Sequence, residues 1–360
     1  MDAASPGQPP SKDLMGTREA TARRRAHVAV FDANTLIAKG IKEQLISRSF
    51  PLASVRLFTS KDDPDSNLTD FNGEAMLLTQ PDPDSLGSLD IAFLCGSREE
   101  GARYLEWPGR KGFVAIDLTT RSNASEDVPL VNAGVNPEAI TSRPGVIATP
   151  HPIAQLLSTL LAPIVRRCGL REAAAVVFQP ASEAGEEGID ELYRQAVSLM
   201  NFEDLPREVF GKQIAFNLVP SFLYEEEKVP GGARPPALER EVLKITGGEY
   251  SLSVDVVLVP VFHCHAALAS LRLPAGRARE DLLASFRSVE EIRVAGGREP
   301  STQTDRAGKP GMLVAGIREA RDQSSFWLWA VNDNLQSGTA QNAVRIAESL
   351  LAQGFGRGDQ

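Results

Sequence analysis

Residues 27–31 read His27-Val28-Ala29-Val30-Phe31, a nearly unbroken apolar run, and residues Lys39–Arg48 behind it carry a helical spacing of apolar positions. A strand without polar alternation is one covered on both faces, as in a parallel sheet flanked by helices. Four more runs extend that reading outward: Val55–Phe58, Met76–Thr79, Asp90–Cys95 and Phe113–Leu118. Together they predict an α/β fold with a doubly wound parallel sheet of nucleotide-binding layout over about residues 26–150. Before it, residues 1–25 are rich in Ser, Pro, Gly and Ala and end in Arg23-Arg24-Arg25. They lack the apolar centre of a secretion signal, and Asp2, Asp13 and Glu19 oppose a mitochondrial transit peptide, so the stretch reads as a mobile tail.

The rhythm changes at Ile153. Residues Ile153–Val165 are apolar at helical spacing, Ala174–Phe178 reads as a strand, and Glu186–Met200 as a helix with acids in its first turn. Glu227–Pro236 reads as a loop on its Pro and Gly content. Ser251–Phe262, Ala266–Leu273, Met312–Arg318 and Phe326–Val331 follow without regular intervening helices, which predicts a mixed or antiparallel sheet. The chain closes with an amphipathic helix, Thr339–Gln353, stopped by Gly354. The expected division is a first domain of residues 26–150 and 332–354 and a second, α+β domain of residues 151–331.

Composition narrows the function. At 360 residues two cores are expected. The net charge of −9 argues against nucleic acid, and no apolar run reaches the roughly 20 residues that span a bilayer. Cys95, Cys168 and Cys264 are too few and too scattered for a disulfide framework or a zinc motif, which points to a reducing, cytoplasmic setting.

Several phrases then carry a resemblance by their order: VAVF (28–31), DIAFLC (90–95), IDLTTRSNASEDVPLVNAGVNPE (116–138), GVIATPHP (145–152), VVFQPASEAGEEGIDEL (176–192), IAFNLVP (214–220), VPVFHCHAALASL (259–271) and WAVNDNLQSGTAQNAVRIAE (329–348). The chain resembles the aspartate-semialdehyde dehydrogenase family over nearly its whole length after the tail. The resemblance implies a Rossmann-like NAD(P)-binding domain, a mixed-sheet dimerisation domain and a homodimer. It implies an NADPH-dependent conversion of aspartyl phosphate to the semialdehyde, through a cysteine thioester and an acid/base histidine.

Against that pattern the residues diverge where chemistry is made. The family's nucleophilic cysteine falls at Pro152, a residue favoured in a helix's first turn and without a reactive group. The phosphate-binding glycines fall at Asp32, Thr35 and Ala38, in a loop that also holds Asn34, so side chains fill the approach to a pyrophosphate. Gly40 stands nearby but out of register. Lys61 is placed to meet a ribose phosphate, crowded by Asp62, Asp63 and Asp65. The two substrate arginines fall at Asn123 and Leu258, with Arg121 near enough to replace the first. Glu183 puts an anion in the turn that faces the nicotinamide. Gln179 matches the glutamine that orients the acyl-enzyme, His265 the acid/base histidine, and Asn334 and Asn342 the closing segment.

Two functions are weighed. One is a non-catalytic relative that binds a protein partner or small metabolite, with no cofactor expected unless the ancestral NADP site still works. The other is an active NAD(P)-dependent oxidoreductase reducing an acyl phosphate such as aspartyl phosphate. A zinc site is the lesser alternative: His263 and His265 on one face of a strand, with His151 and Glu183, make a possible ligand set. The expectation is no metal.

Overall fold

The computed structural model describes residues 25–61, 67–140, 145–299, 301–322, 324–335 and 338–355. The expected tail, Arg25 apart, lies outside the described residues, as do Asp62, Asp63 and Asp65.

The opening run forms β1 (Ala26–Phe31), followed by α1 (Leu36–Ser47) and β2 (Leu52–Leu57). Thr35 starts α1 by accepting from the Ala38 amide, 3.3 Å. A hairpin of β3 (Leu68–Phe71) and β4 (Glu74–Leu77) comes next. Residues 76–79, expected in the main sheet, therefore belong mostly to this separate ribbon, and only Thr79 bridges to Phe58. Then follow β5 (Ile91–Leu94), α2 (Arg98–Tyr104), α3 (Trp107–Lys111), β6 (Val114–Asp117) and a short strand not read from sequence, β7 (Val146–Ala148). The sheet order is β2-β1-β5-β6-β7, parallel throughout. The chain leaves β1 toward one edge and returns at β5 on the other side, so a crevice opens at the carboxyl end of β1. Each face has its own core: Val28, Val30 and Ile41 on one side, and Phe31, Tyr104 and Leu86 on the other.

The second half opens with α4 (Pro152–Cys168), β8 (Glu172–Gln179), α5 (Gly185–Asn201) and the short β9 (Val219–Pro220). Next is α6 (Pro235–Thr246), a helix that the Pro-Gly reading of residues 227–236 obscured. Its two opening prolines occupy the first turn, where no amide donor is needed, and Gly247 ends it in a left-handed cap. The rest is β10 (Ser251–Leu258), β11 (His265–Arg272), α7 (Arg279–Phe286), β12 (Ile292–Val294), α8 (Gln303–Arg306), β13 (Met312–Glu319), β14 (Ser325–Asn332) and α9 (Thr339–Ala352). β10 stops at Leu258, short of the expected Phe262. The sheet is mixed, in the order β12-β13-β14-β11-β8-β10-β9.

Helices α4, α6 and α7 bury one face of this sheet in the largest core, through residues such as Leu157, Val242, Leu282 and Phe286. The last helix, α9, returns to the first sheet and packs against α1. Gly40 explains itself there: a Cβ at residue 40 would stand 3.0 Å from the Ala340 Cβ, so the glycine lets the helices meet. No helix among the described residues is long and apolar enough to cross a membrane.

Candidate functional site

The amino end of α4 is where the second sheet, the α5 turn and the entry to α6 converge. His151 caps α4: its Nδ1 accepts from the Ile153 amide (3.1 Å) and its Nε2 lies 2.9 Å from the Gly231 carbonyl oxygen. Those partners fix the neutral tautomer, with the proton on Nε2. Pro152 holds the first helical position. Glu183, in the turn before α5, places Oε1 3.6 Å from His265 Nε2 and Oε2 4.0 Å from His151 Nε2. Asn334 donates to Glu183 Oε1 (2.9 Å) and to Ser182 Oγ (3.0 Å), while its Oδ1 accepts from the Cys264 amide. Gln179, at the end of β8, donates to the Pro230 carbonyl, 2.8 Å. The Pro230-Gly231-Gly232 turn thus covers the cluster with two backbone carbonyls. A side chain at residue 231 would strike it, because a Cβ there would lie 2.9 Å from Glu183 Cβ, and its φ of +71° favours glycine.

Burial decides the protonation. It pushes the His265 imidazole down to about 3, helped by the neighbouring His151. It takes His151 down to about 4, against the pull of the Gly231 carbonyl. It pushes the Glu183 carboxyl up to about 7, against the Asn334 hydrogen bond. Among the described residues no cation neutralises Glu183, so below pH 7 its proton sits on the carboxyl and the 3.6 and 4.0 Å contacts join neutral groups rather than ion pairs. A carboxyl that titrates near neutrality can give or take a proton.

Two of the three histidines weighed as metal ligands come together here with Glu183. His263 is not placed by strand alternation, since β11 begins only at His265 and Cys264 has a φ of +75°. Among the described residues no group of three or more His, Cys, Asp or Glu is arranged to hold a metal ion. Nor is a thiol present in the cluster. Burial raises the pKa of all three cysteines: Cys95 well above the ordinary thiol value, Cys168 above it, and Cys264 to about 12. Cys264 adjoins His265 in sequence but packs with Leu313 and Val331.

The positions of the substrate arginines are absorbed into structure. Asn123 is buried and donates to Glu241 Oε1 (2.9 Å), whose other oxygen accepts from the His151 amide at 2.8 Å. Leu258 is 2% exposed among Phe210, Ile214 and Val219. Cations bear on other groups: burial depresses the Arg98 guanidinium, and the charges of Arg234 and Arg121 lower it further. The Arg234 charge also lowers both the His151 imidazole and the Glu241 carboxyl.

The loop after β1 is closed in a different way. Asp32 takes a φ of +55° and accepts from the Ser60 amide, 2.8 Å. Its other oxygen has no partner and lies 2.2 Å from where a Cβ on Gly96 would stand, with Glu100 Oε2 2.7 Å from the same point. The Thr35 hydroxyl lies 3.1 Å from the carbonyls of Asp32 and Cys95, and Ala38 is buried in the core. Asn34 is half-buried, and the side chain of Lys61 is exposed. Sequence reading missed Arg98, Arg234, Glu241 and the covering Pro-Gly-Gly turn. For Arg234, Glu241 and the turn, the one signal was the cluster of Pro and Gly before an unrecognised helix.

Comparison with known proteins agrees with this architecture. Residues 39–143 match the family described as the NAD binding domain of semialdehyde dehydrogenase, and residues 161–337 match its dimerisation domain. Both the loop Asp32–Ala38 and the helix start at Pro152 lie outside those matches. Aspartate-semialdehyde dehydrogenase 2 of Vibrio cholerae is 30% identical over 91% of this chain and 98% of its own length. The enzyme of Bacillus subtilis is 27% identical over 91% and 98%. A crystal structure of aspartate semialdehyde dehydrogenase II from Vibrio cholerae superposes with a TM-score of 0.83 at 29% identity, covering 91% of this chain and 99% of that one. The Candida albicans enzyme, solved with NADP, shares the fold at a TM-score of 0.72 and 19% identity over 92% and 100%.

Proposed function

We propose, from the premise that this chain belongs to the aspartate-semialdehyde dehydrogenase family, that it is a non-catalytic member which keeps the frame to bind a small anion. One observation carries the reading: no cysteine reaches the cluster at the start of α4, and every thiol in the chain is buried and held protonated. A thioester needs a thiolate, and a thiol raised to about 12 supplies almost none at neutral pH. The nucleotide loop supports it, since Asp32 and Glu100 present carboxyl oxygens where a pyrophosphate would need amide donors. These residues do not fit NADP. The anion would meet Arg98, Arg121 and Arg234 instead. The rival reading, an NAD(P)-dependent reductase of acyl phosphates, draws on Gln179 and His265 in their family places and on a carboxyl poised near pH 7.

Purified protein is expected to show no phosphate-dependent reduction of NADP or NAD by aspartate semialdehyde above a mock preparation. Pro152→Cys is expected to leave that unchanged, although alkylation should detect a new thiol more reactive than the buried three. Turnover by either protein sinks the proposal.

The same reading includes a homodimer through the open face of the second sheet. There Leu268 is flanked across the strands by Val176 and Trp329, and Leu268 and Val176 are each 37% exposed. Met200 and Phe202 at the end of α5 are more exposed still. Leu268→Glu is expected to shift the sedimentation velocity from dimer to monomer. An unchanged dimer removes this face from consideration.

A further inference from the structure

A second set of cavities runs along α4, sharing no lining residue with the Glu183 cluster. α4 is buried almost all round, yet Gln155, Thr159, Pro163 and Arg166 recur every three or four residues and so share one face, polar at all of these positions but Pro163. Two adjoining cavities lie against this face. The outer is a groove of about 470 Å³ walled by Arg166, Arg167, Ser288 and Glu290, a volume suited to a small molecule. The inner is a chamber of about 30 Å³ between Gln155, Asn332, Asn342 and Arg345. Gly134, Thr159 and Glu291 line both.

Two acceptor oxygens of the chamber wall have no donor among the described residues. Gln155 gives its Nε2 to the Gly338 carbonyl, 3.2 Å, but its Oε1 is buried without a partner, and so is Asn332 Oδ1. Both residues are more than nine-tenths buried. Pro163 has no N–H, so it cannot donate to the Thr159 carbonyl one turn earlier. Among the surrounding groups, Asn342 bridges Val131 and Ala133, Asn132 donates to Ser158 and Thr159, and Arg345 pairs with Glu291. Orphan acceptors inside a pre-formed polar wall call for a donor from outside the chain. At the other end, Arg166 and Arg167 present guanidiniums, of which Arg166 gives one N–H to the Val135 carbonyl. From Gln155 to Arg166 the helix rises roughly 16 Å, and helical side chains lean toward the amino end, which brings the Arg166 guanidinium toward the chamber.

We propose that this groove binds an extended zwitterion, with its carboxylate on Arg166 and Arg167 and its ammonium in the chamber, joined by a short methylene chain. An ammonium is close to a water in size, which is what the chamber admits. The methylenes would lie over Ala162 and Pro163. This holds whether or not the Glu183 cluster turns over substrate.

The probe is 6-aminohexanoate, titrated into the full-length protein by calorimetry, with hexanoate and hexylamine as half-molecules. Saturable binding is expected for 6-aminohexanoate below about 10 mM, with each half-molecule at least about tenfold weaker. Arg167 is exposed, so Arg167→Ala should fold normally; it should weaken 6-aminohexanoate at least about tenfold and hexylamine little. Three results would overturn the assignment: no saturation by 6-aminohexanoate, hexanoate binding as tightly as 6-aminohexanoate, or an affinity indifferent to Arg167→Ala. The last would place the probe elsewhere on the protein.

Discussion

Replacing His265 by leucine is expected to make folding less sensitive to acid, whereas Glu183→Gln should make it more so. The His265 imidazole has a folded pKa of about 3 against an ordinary 6.5, so the unfolded chain binds a proton that the folded chain refuses. Stability from a depressed histidine is present above pH 6.5 and is lost as pH falls toward 3. Between pH 6.5 and 4.5 the loss from His265 alone is about 2 kcal/mol, and leucine removes it. Glu183 has the opposite sign. With a folded pKa of about 7 against 4.5, its stabilising contribution is full below pH 4.5 and disappears as pH rises through 7. It therefore returns about 2 kcal/mol over the same acid window, and Glu183→Gln forfeits that return. Urea unfolding at pH 6.5 and pH 4.5 on the wild type and both variants tests the pair. Parallel shifts in the two variants would contradict a neutral cluster and restore an ion pair between Glu183 and His265.

That electrostatic behaviour was not readable from the sequence, although its residues were. His265, Gln179, Glu183 and Asn334 could all be located by the order of phrases around them. Their burial could not, because it comes from a turn at Pro230-Gly231-Gly232 that composition identifies only as a loop. The parallel sheet was legible because β1, β5 and β6 are apolar runs whose meaning is local. Residues 76–79 misled for the same reason: an apolar quartet reads alike in a core strand and in a ribbon. Helix α6 was hidden by the prolines that open it, and with it went Glu241, the carboxylate that joins Asn123 to His151. The zinc alternative assumed a strand through His263, and the left-handed backbone at Cys264 breaks that alternation. Period-based reasoning holds inside an element and fails at its ends, which is where this site is built.

Returning the substrate arginine by Leu258→Arg is expected to cost about 3–5 kcal/mol of stability and to add no function. Leu258 closes β10 with 2% of its surface exposed, and it packs against Phe210, Ile214 and Val219. Two buried carboxylates of this domain already have partners: Glu241 accepts from Asn123 and from the His151 amide, and Glu191 accepts from the Val209 and Phe210 amides. A guanidinium at residue 258 would enter an apolar cluster without a counter-ion, and leaving a buried charge unpaired is among the costliest single changes a fold meets. Leu258→Met, which conserves volume and charge, should cost under about 1.5 kcal/mol and serves as the packing control. Thermal and urea unfolding of both variants measure the difference. If Leu258→Arg is as stable as Leu258→Met, the site still has room for the lost arginine and the substrate pocket is latent rather than closed. If it is not, this position has been rebuilt as core, and no single substitution there leads back to a working clamp.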